Sequence, residues 1–381
     1  MASLPETLTT PVLIDPHVHL REPGSNHSEN ISSGTRAALL GGYALIGDMP
    51  NNPGHPTWTE ERLLEKHILG ANDSYIPVTF HSGSQPESDN IGELEAMSKL
   101  SLWLKLYGAP TTGNHNDYEA ADFLDIVREW HRVAPDKPIG LHAGRDNLED
   151  MIGLVAQDFG HQLHIHHVSS SKEIQAVKRA RERGLDVSCG VCPHHLLKTA
   201  HDVWTEGWFA RMQPPLASQT EAEKLMYHLA QGDIDIVETD HAPHSIDSKL
   251  KAETDNPFGI HDSEHTTCFG VPGIEFAAPL MFYQARRGRI SMERVVVAMS
   301  YRPAALLGVR LRPDSFANWQ MVEYRIGEDD RSESLAGWTP YLGKLALGYV
   351  TELHTSGRTL IEDCSVSWGY PAIITERGSE I

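Results

Sequence analysis

The sequence predicts an α/β fold, a (β/α)8 TIM barrel that carries a small C-terminal β appendage. Eight short β-rich runs follow one another, and each is followed by an amphipathic segment with helical spacing. Repeated strand-then-helix order is typical of a parallel sheet, and eight units indicate closure into a barrel. The chain beyond residue 310 loses this repeat. We therefore expect the barrel to span residues 1–310 and a β-rich appendage to span residues 311–381.

The eight predicted strands share an apolar or β-branched centre and end in polar residues. They span residues 12–20, 43–48, 76–81, 102–107, 139–142, 163–168, 185–191 and 234–240. The carboxyl ends of barrel strands meet at one face, where active sites lie. Polar residues near these ends are therefore candidates for one shared site. They are His17, His19, Arg21, Asn51, Lys105, His142, His167 and Asp240.

The segments between the strands carry helix start signals. Three Ser or Thr residues precede a Glu by three positions, as in a capping box that satisfies free backbone N–H groups. The pairs are Thr57 with Glu60, Ser170 with Glu173, and Ser218 with Glu221. These signals support helices between the strands.

The appendage is predicted from a change of period. Apolar and polar residues alternate between Trp319 and Ile326, and two further runs, 344–352 and 358–363, flank a turn at Ser356 and Gly357. Period-two alternation around a turn predicts paired strands. We expect these strands to pack against the barrel.

The composition limits the class of protein. A formal charge of -20, from 52 acidic and 32 basic residues, argues against a nucleic-acid or anionic-membrane surface. The N-terminus lacks the basic and apolar regions of a signal peptide. Four cysteines, two of them in Cys189-x-x-Cys192, predict buried thiols in preference to a disulfide framework or a structural zinc site. We expect a cytoplasmic protein with small-molecule partners, and a homodimer as the commonest assembly.

The first strand ends in a motif suited to metal binding. Alternate residues of a strand face the same way, so Asp15, His17, His19 and Arg21 should project together while Val18 faces away. Neutral imidazole is a preferred zinc ligand, so the two histidines could supply half of a four-coordinate site. The alternative is a pair of hydrogen-bonded histidines at a strand end.

Lys105 is predicted to point into the barrel. The leucines around it share one face of the strand, which leaves Lys105 on the other face with Trp103 and Tyr107. A buried ammonium is costly, whereas a neutral amine can react with carbon dioxide to give a carbamate that bridges two metal ions. The alternative is an ion pair with an acid such as Asp240.

The later strands offer further ligands and a base. His142 and His167 are the remaining nitrogen ligands that we select. His167 falls on the same predicted strand face as apolar residues, which suit the barrel interior, and His166 is the fallback. Asp240 can contact a metal and take a proton from water, which makes it the candidate catalytic base. His244 follows Pro243 in a loop, where it is better placed to meet a substrate.

Five motifs together resemble the dihydroorotases, a family of the cyclic amidohydrolase superfamily. They are HVHLREPG at 17–24, MPN at 49–51, KLY at 105–107, PHHL at 193–196 and TDHAPH at 239–244. The resemblance covers the barrel from about residue 12 to residue 310 and continues weakly into the tail. As a set these motifs are highly specific.

The resemblance implies two zinc ions and a substrate that carries a carboxylate. One ion would be held by His17, His19 and Asp240, the other by His142 and His167, with carbamylated Lys105 as the bridge. The substrate carboxylate would be held by Arg21, Asn51 and His244, with Thr111 and Thr112 on a loop that closes over it. The implied reaction is the reversible cyclisation of N-carbamoyl-L-aspartate to L-dihydroorotate in pyrimidine synthesis.

Some features depart from the family pattern. Many relatives complete a β-sandwich with an N-terminal stretch, so we expect the appendage here to be an incomplete β-sandwich. Gln213 stands where the family often has Asn. Some relatives place Cys and Glu at the positions of His166 and Gly190 to hold a further metal, which argues against a third zinc ion here.

Two other functions remain open from the sequence. One is a different cyclic amidohydrolase, such as a hydantoinase, dihydropyrimidinase or allantoinase. Arg21, Asn51 and His244 argue against it because neutral ring substrates need no carboxylate site. The other is a catalytically silent, dihydroorotase-like scaffold subunit, whose signature would be a lost metal ligand. None of the six candidate ligands is missing.

Overall fold

The computed structural model describes residues 5–111, 116–144, 147–259, 268–327, 332–367 and 371–381. Its strands are β1 (Thr7–Pro11), β2 (Leu13–Val18), β3 (Tyr43–Asp48), β4 (Val78–Phe80), β5 (Ser82–Ser84), β6 (Leu104–Tyr107), β7 (Ile139–His142), β8 (Leu163–Ile165), β9 (Val187–Val191), β10 (Ile236–Val237), β11 (Phe316–Arg325), β12 (Leu345–Thr355), β13 (Arg358–Glu362) and β14 (Ser365–Val366). Its α-helices are α1 (Ile31–Leu40), α2 (Glu60–Asp73), α3 (Leu94–Ser98), α4 (Leu124–Val133), α5 (Leu148–Ile152), α6 (Ser171–Glu182), α7 (Pro193–Leu197), α8 (Ala200–Glu206), α9 (Gln219–Gln231), α10 (Ile246–Asp255), α11 (Ile274–Arg286), α12 (Met292–Val296) and α13 (Arg302–Leu307).

The predicted (β/α)8 barrel is confirmed. All eight predicted runs contain a strand, from β2 to β10, and these strands pair in parallel. The third run forms β4, and after a break at His81 the chain continues as β5, which pairs with β6. The first and last strands meet through a parallel bridge between Val18 and His241. The backbone N–H of His19 donates to the carbonyl of His241 at 2.8 Å, which closes the ring of strands.

Apolar side chains on the two faces of the strands belong to different clusters. Trp103, which directly precedes β6, packs with Ile14, Leu45 and Ile236, which come from three other strands of the barrel wall. A much larger cluster joins the opposite strand faces to the surrounding helices. Leu104 belongs to this outer cluster. The apolar cluster around Trp103 therefore fills the barrel interior, below the carboxyl-terminal ends of the strands, which we call the barrel mouth.

The appendage is one antiparallel sheet in the order β1, β11, β12, β13, β14. Its first strand comes from the N-terminal end of the chain, within the residues that were assigned to the barrel from sequence. Leu8 pairs with Trp319, and the indole Nε1–H of Trp319 donates to Thr10 Oγ1 at 3.0 Å. The ring of Trp319 also packs edge-on against Phe282 of α11, with centroids 4.9 Å apart. The sheet therefore stands on the barrel through a buried tryptophan.

Helix caps agree with the sequence signals in part. Ser218 caps α9 as predicted, because its side chain accepts from the N–H of Glu221. The start predicted at Thr57 is wrong by two residues, since Thr59 is the N-cap of α2. Among the described residues, no helix combines the length and apolar character needed to cross a membrane.

Candidate metal centre and substrate site

The first two candidate ligands lie where β2 ends. His17 and His19 are buried, with ring centroids 5.4 Å apart. His17 Nε2 lies 3.3 Å and His19 Nε2 3.0 Å from the same oxygen, Oδ1 of Asp240. Neighbouring ligand atoms around a tetrahedral zinc ion are about 3.3 Å apart. The three side chains therefore have the spacing of a shared metal ion.

The prediction that Asp15 shares the face of His17 is wrong. The pairing of β2 with β3 is irregular between Asp15 and Val18, and such an irregularity breaks the alternation of side chains. Asp15 accepts instead from the backbone N–H groups of His17, at 3.0 Å, and Thr239, at 3.1 Å. It ties the first barrel strand to the last and contributes no ligand.

The second pair of nitrogen ligands meets beside the first. Nδ1 of His142, at the end of β7, lies 2.8 Å from Nε2 of His167, which follows β8. The ligand atoms of His17, His167 and Asp240 all lie within 4.8 Å of one another. Side chains from four strand ends therefore converge on one small volume.

His167 reaches this volume for a reason other than the predicted one. Leu163 and Ile165, whose parity it shares, belong to the outer core. His164 and His166 face the interior instead, with rings 5.3 and 5.2 Å from that of Trp103. His167 has a positive φ of 39°, so the chain has left the strand and its parity no longer applies.

Lys105 is buried among these groups, 1% exposed. Within the described part of the chain, its Nζ has no hydrogen-bond partner, and it forms no ion pair with Asp240. Burial lowers the pKa of Lys105 to about 7, against the opposing effect of Glu238 and Asp240. A large share of its amine is therefore neutral near pH 7, the form that reacts with carbon dioxide.

Asp240 faces both first-strand histidines. It has a positive φ of 44°, and its Oδ1 lies 3.3 Å from His17 Nε2 and 3.0 Å from His19 Nε2. Burial raises the pKa of Asp240 to about 7. A carboxylate with a pKa near the working pH is suited to exchange protons with a reacting water or amide.

A small cavity lies next to Asp240. It is lined by His19, Arg21, Asn51, Thr111, Gln213, Asp240, Ala242, Phe269 and Gly270. The Nε and Nη1 groups of Arg21, a residue 2% exposed, have no hydrogen-bond partner among the residues that the structure describes. Buried guanidinium donors that face a cavity fit an anionic group.

Of the remaining predicted substrate contacts, some lie at the cavity or beside Arg21, and one lies outside the described residues. His244 Nε2 lies 3.4 Å from Arg21 Nη2 and 3.0 Å from the carbonyl oxygen of Phe269, which it can donate to. Asn51 and Thr111 line the cavity, whereas Thr112 lies outside the described residues. The role of the Phe269 carbonyl as an acceptor for His244 was not predicted, because Phe269 follows a segment whose sequence has no periodic pattern.

No protein-family model matches the chain. The dihydroorotase of Staphylococcus epidermidis (strain ATCC 12228 / FDA PCI 1200) is 30% identical over 393 residues, covering 93% of this chain and 88% of that protein. The chain belongs to the dihydroorotase family. A dihydroorotase of Halobacterium salinarum is also 30% identical, over 88% of this chain and 82% of its own length. The multifunctional protein CAD of Squalus acanthias is 29% identical over 93% of this chain, which spans 15% of that protein.

Several solved structures share the fold of this dihydroorotase-family chain. L-Hydantoinase from Arthrobacter aurescens superposes with a TM-score of 0.85 at 21% identity, covering 97% of this chain and 89% of its own. An inactive dihydroorotase-like domain of a Chaetomium thermophilum CAD-like protein gives a TM-score of 0.75 at 18% identity, covering 96% and 98%. These likenesses support the barrel architecture.

Proposed function

We propose that this protein is a zinc-dependent dihydroorotase that interconverts N-carbamoyl-L-aspartate and L-dihydroorotate in pyrimidine biosynthesis. The convergence of six candidate ligands beside a buried arginine carries the proposal. The ligands are His17, His19, Lys105, His142, His167 and Asp240. Family membership supports the same reaction.

The donor set fits a pair of zinc ions. Nζ of Lys105 is buried and has no hydrogen-bond partner within the described residues, and Nδ1 of His142 lies 2.8 Å from Nε2 of His167. Burial holds the pKa values of His17, His19 and His167 well below the usual range, so these imidazoles are neutral, as ligation requires. When bound, the zinc pair would acidify a water molecule and polarise the ring amide carbonyl.

The chain's own residues supply the remaining chemistry. The Lys105 amine forms an N–C bond to carbon dioxide and loses a proton, which gives the anionic carbamate proposed as the bridge. Asp240 takes a proton from the attacking water and delivers it to the ring nitrogen as the C–N bond breaks. In the direction of synthesis the same carboxylate takes the proton from the carbamoyl nitrogen as the C–N bond forms, and returns it to the carboxyl oxygen that leaves as water.

Arg21 supports dihydroorotate over a neutral ring. Its guanidinium offers two N–H donors toward the cavity, and a planar fork matches a carboxylate. Hydantoin and dihydrouracil carry no such carboxylate. A hydantoinase-like activity is the second candidate, since that class shares the fold, but it would leave these donors unpaired.

One set of assays tests the proposal. Purified protein is analysed for zinc and assayed in both directions with dihydroorotate, and in hydrolysis with hydantoin, dihydrouracil and allantoin. We expect about two zinc ions per chain and turnover of dihydroorotate alone. Turnover of a neutral ring without dihydroorotate would favour the second candidate. Zinc-free protein with full activity would overturn the mechanism.

A further inference from the structure

Glu238 lies beneath the candidate metal centre, and no step of the proposed reaction uses it. Its side chain is completely buried, two residues before Asp240 along the last barrel strand. A buried carboxylate is costly unless its oxygens accept hydrogen bonds. The hydrogen-bond partners of Glu238 therefore indicate its role.

Three donors from two strand ends converge on Glu238. Oε2 lies 2.7 Å from Nδ1 of His166 and 3.3 Å from Nδ1 of His17. Oε1 accepts from the backbone N–H of His167 at 2.5 Å. One carboxylate thus contacts a candidate ligand of each proposed zinc ion.

The contact with His17 decides which ring nitrogen carries the proton. Nδ1 faces Glu238, whereas Nε2 faces Asp240 Oδ1 at 3.3 Å and the proposed metal position. An ionised carboxylate only accepts, so the proton lies on Nδ1 and the Nε2 lone pair points to the metal. A neutral ring protonated on Nε2 could not ligate there.

The contact with His167 holds backbone in a less favourable conformation. His167 has a positive φ of 39°, uncommon for a residue with a side chain, and this turn brings its ring to His142. The hydrogen bond from the His167 N–H to Glu238 Oε1 holds the turn at the point where the chain leaves β8.

The neighbouring strand leaves room for this carboxylate. A Cβ atom added at Gly190 would lie 2.4 Å from Oε1 of Glu238. Any side chain at this position of β9 would displace Glu238 from the groups it contacts. Gly190 is therefore part of the same arrangement.

We propose that Glu238 is a positioning residue that fixes the tautomer of His17 and the turn at His167, and thereby sets the zinc affinity of the centre. The inference rests on the proposed metal centre. The ligand atoms of His17, His166 and Glu238 also lie within 4.8 Å of one another, as a third metal ion would require. The 2.7 Å between His166 Nδ1 and Glu238 Oε2 is shorter than the roughly 3.3 Å between neighbouring ligand atoms of a tetrahedral zinc ion, which favours a hydrogen bond and a positioning role.

The test replaces one carboxylate oxygen by an amide nitrogen. Glu238→Gln keeps the size but cannot accept all three donors, so either the His17 tautomer reverses or the His167 N–H loses its partner. We expect zinc to bind about 10- to 100-fold more weakly, as for other partners of metal ligands. Affinity is measured on apo protein against a chromophoric chelator, and imidazole ¹⁵N shifts report the tautomer.

Two further variants separate positioning from folding. Gly190→Ala pushes on Glu238 without changing its charge and is expected to weaken zinc binding in the same direction. Asp235→Asn is the matched control, because Asp235 is a buried carboxylate near the opposite end of the same strand, where it pairs with Arg181 and Arg302. It should lower the melting temperature of the apo protein and leave zinc affinity unchanged.

The outcomes distinguish this inference from the proposed function. Wild-type protein that binds no zinc overturns both. Wild-type protein that binds zinc, with Glu238→Gln and Gly190→Ala of equal affinity, overturns the positioning role alone. A third zinc equivalent in the wild type that Glu238→Gln loses would assign Glu238 as a ligand and also overturn it.

Discussion

At the residue scale, the burial of Lys105 could be predicted from the sequence, whereas its lowered pKa could not. The leucines on either side of it share the outer face, which predicts an inward side chain, and it is buried as expected. Burial lowers its pKa against the opposing effect of Glu238 and Asp240, which lie close to each other in a distant part of the sequence. No local pattern around Lys105 contains that information.

Removal of the Lys105 amine should disrupt the proposed two-zinc centre. Lys105→Ala is expected to lose the second zinc ion and to lower kcat/KM for dihydroorotate by at least about 10³-fold, since it removes the group proposed to bridge the two ligand sets. Zinc analysis and steady-state kinetics check this. Lys99→Ala, at a lysine whose side chain is 73% exposed, is the control and should match the wild type.

The lowered pKa of Lys105 predicts the pH dependence of metal loading. Only the neutral amine reacts with carbon dioxide, and a pKa of about 7 makes it the major form above pH 7. Reconstitution of apo protein with zinc, at a fixed concentration of dissolved carbon dioxide, should therefore speed up as pH rises from 6 to 8 and then level off. A rate that keeps climbing tenfold per pH unit beyond pH 8 would indicate an ordinary lysine instead.

Arg21 should control the response to the substrate carboxylate. Arg21→Gln removes the charge and the fork, so kcat/KM for dihydroorotate is expected to fall about 10²-fold or more while zinc content stays at the wild-type value. Steady-state kinetics and metal analysis test this together. An unchanged kcat/KM would place the carboxylate elsewhere in the cavity.

At the element scale, periodic features could be predicted and irregular ones could not. The eight strands follow from apolar runs, because burial in a parallel sheet imposes them. Asp15 was misplaced because β2 is irregular before Val18. The environment of His167 was misjudged because the chain turns after Ile165 with a positive φ. A single sequence gives parity along an ideal strand and does not show where the ideal strand stops.

The tail sheet should contribute stability without contributing chemistry. Trp319 is 1% exposed, donates to Thr10 and packs on Phe282, so Trp319→Ala leaves a cavity between sheet and barrel. We expect a loss of about 3–5 kcal/mol in the free energy of unfolding and an unchanged kcat in the folded protein. Urea denaturation and kinetics check this. A loss below about 1 kcal/mol would show that the contact is dispensable.

At the scale of the whole molecule, a strongly acidic protein buries one arginine beside its candidate site. The formal charge is -20, yet Arg21 and the proposed metal ions make the centre locally attractive to anions. The N-terminal strand β1 pairs with β11, so segments from both parts of the chain form the tail sheet. The homodimer, the cytoplasmic location and the division at residue 310 stay predictions.

The central claim is that side chains from distant parts of the chain hold two zinc ions at one barrel mouth. A zinc-edge anomalous difference map from crystals of the zinc-loaded protein tests it most directly. We predict two peaks about 3.5–4 Å apart, one next to His17, His19 and Asp240 and one next to His142 and His167, with carbamate density on Lys105 between them. A single peak, or zinc bound away from these side chains, would contradict it.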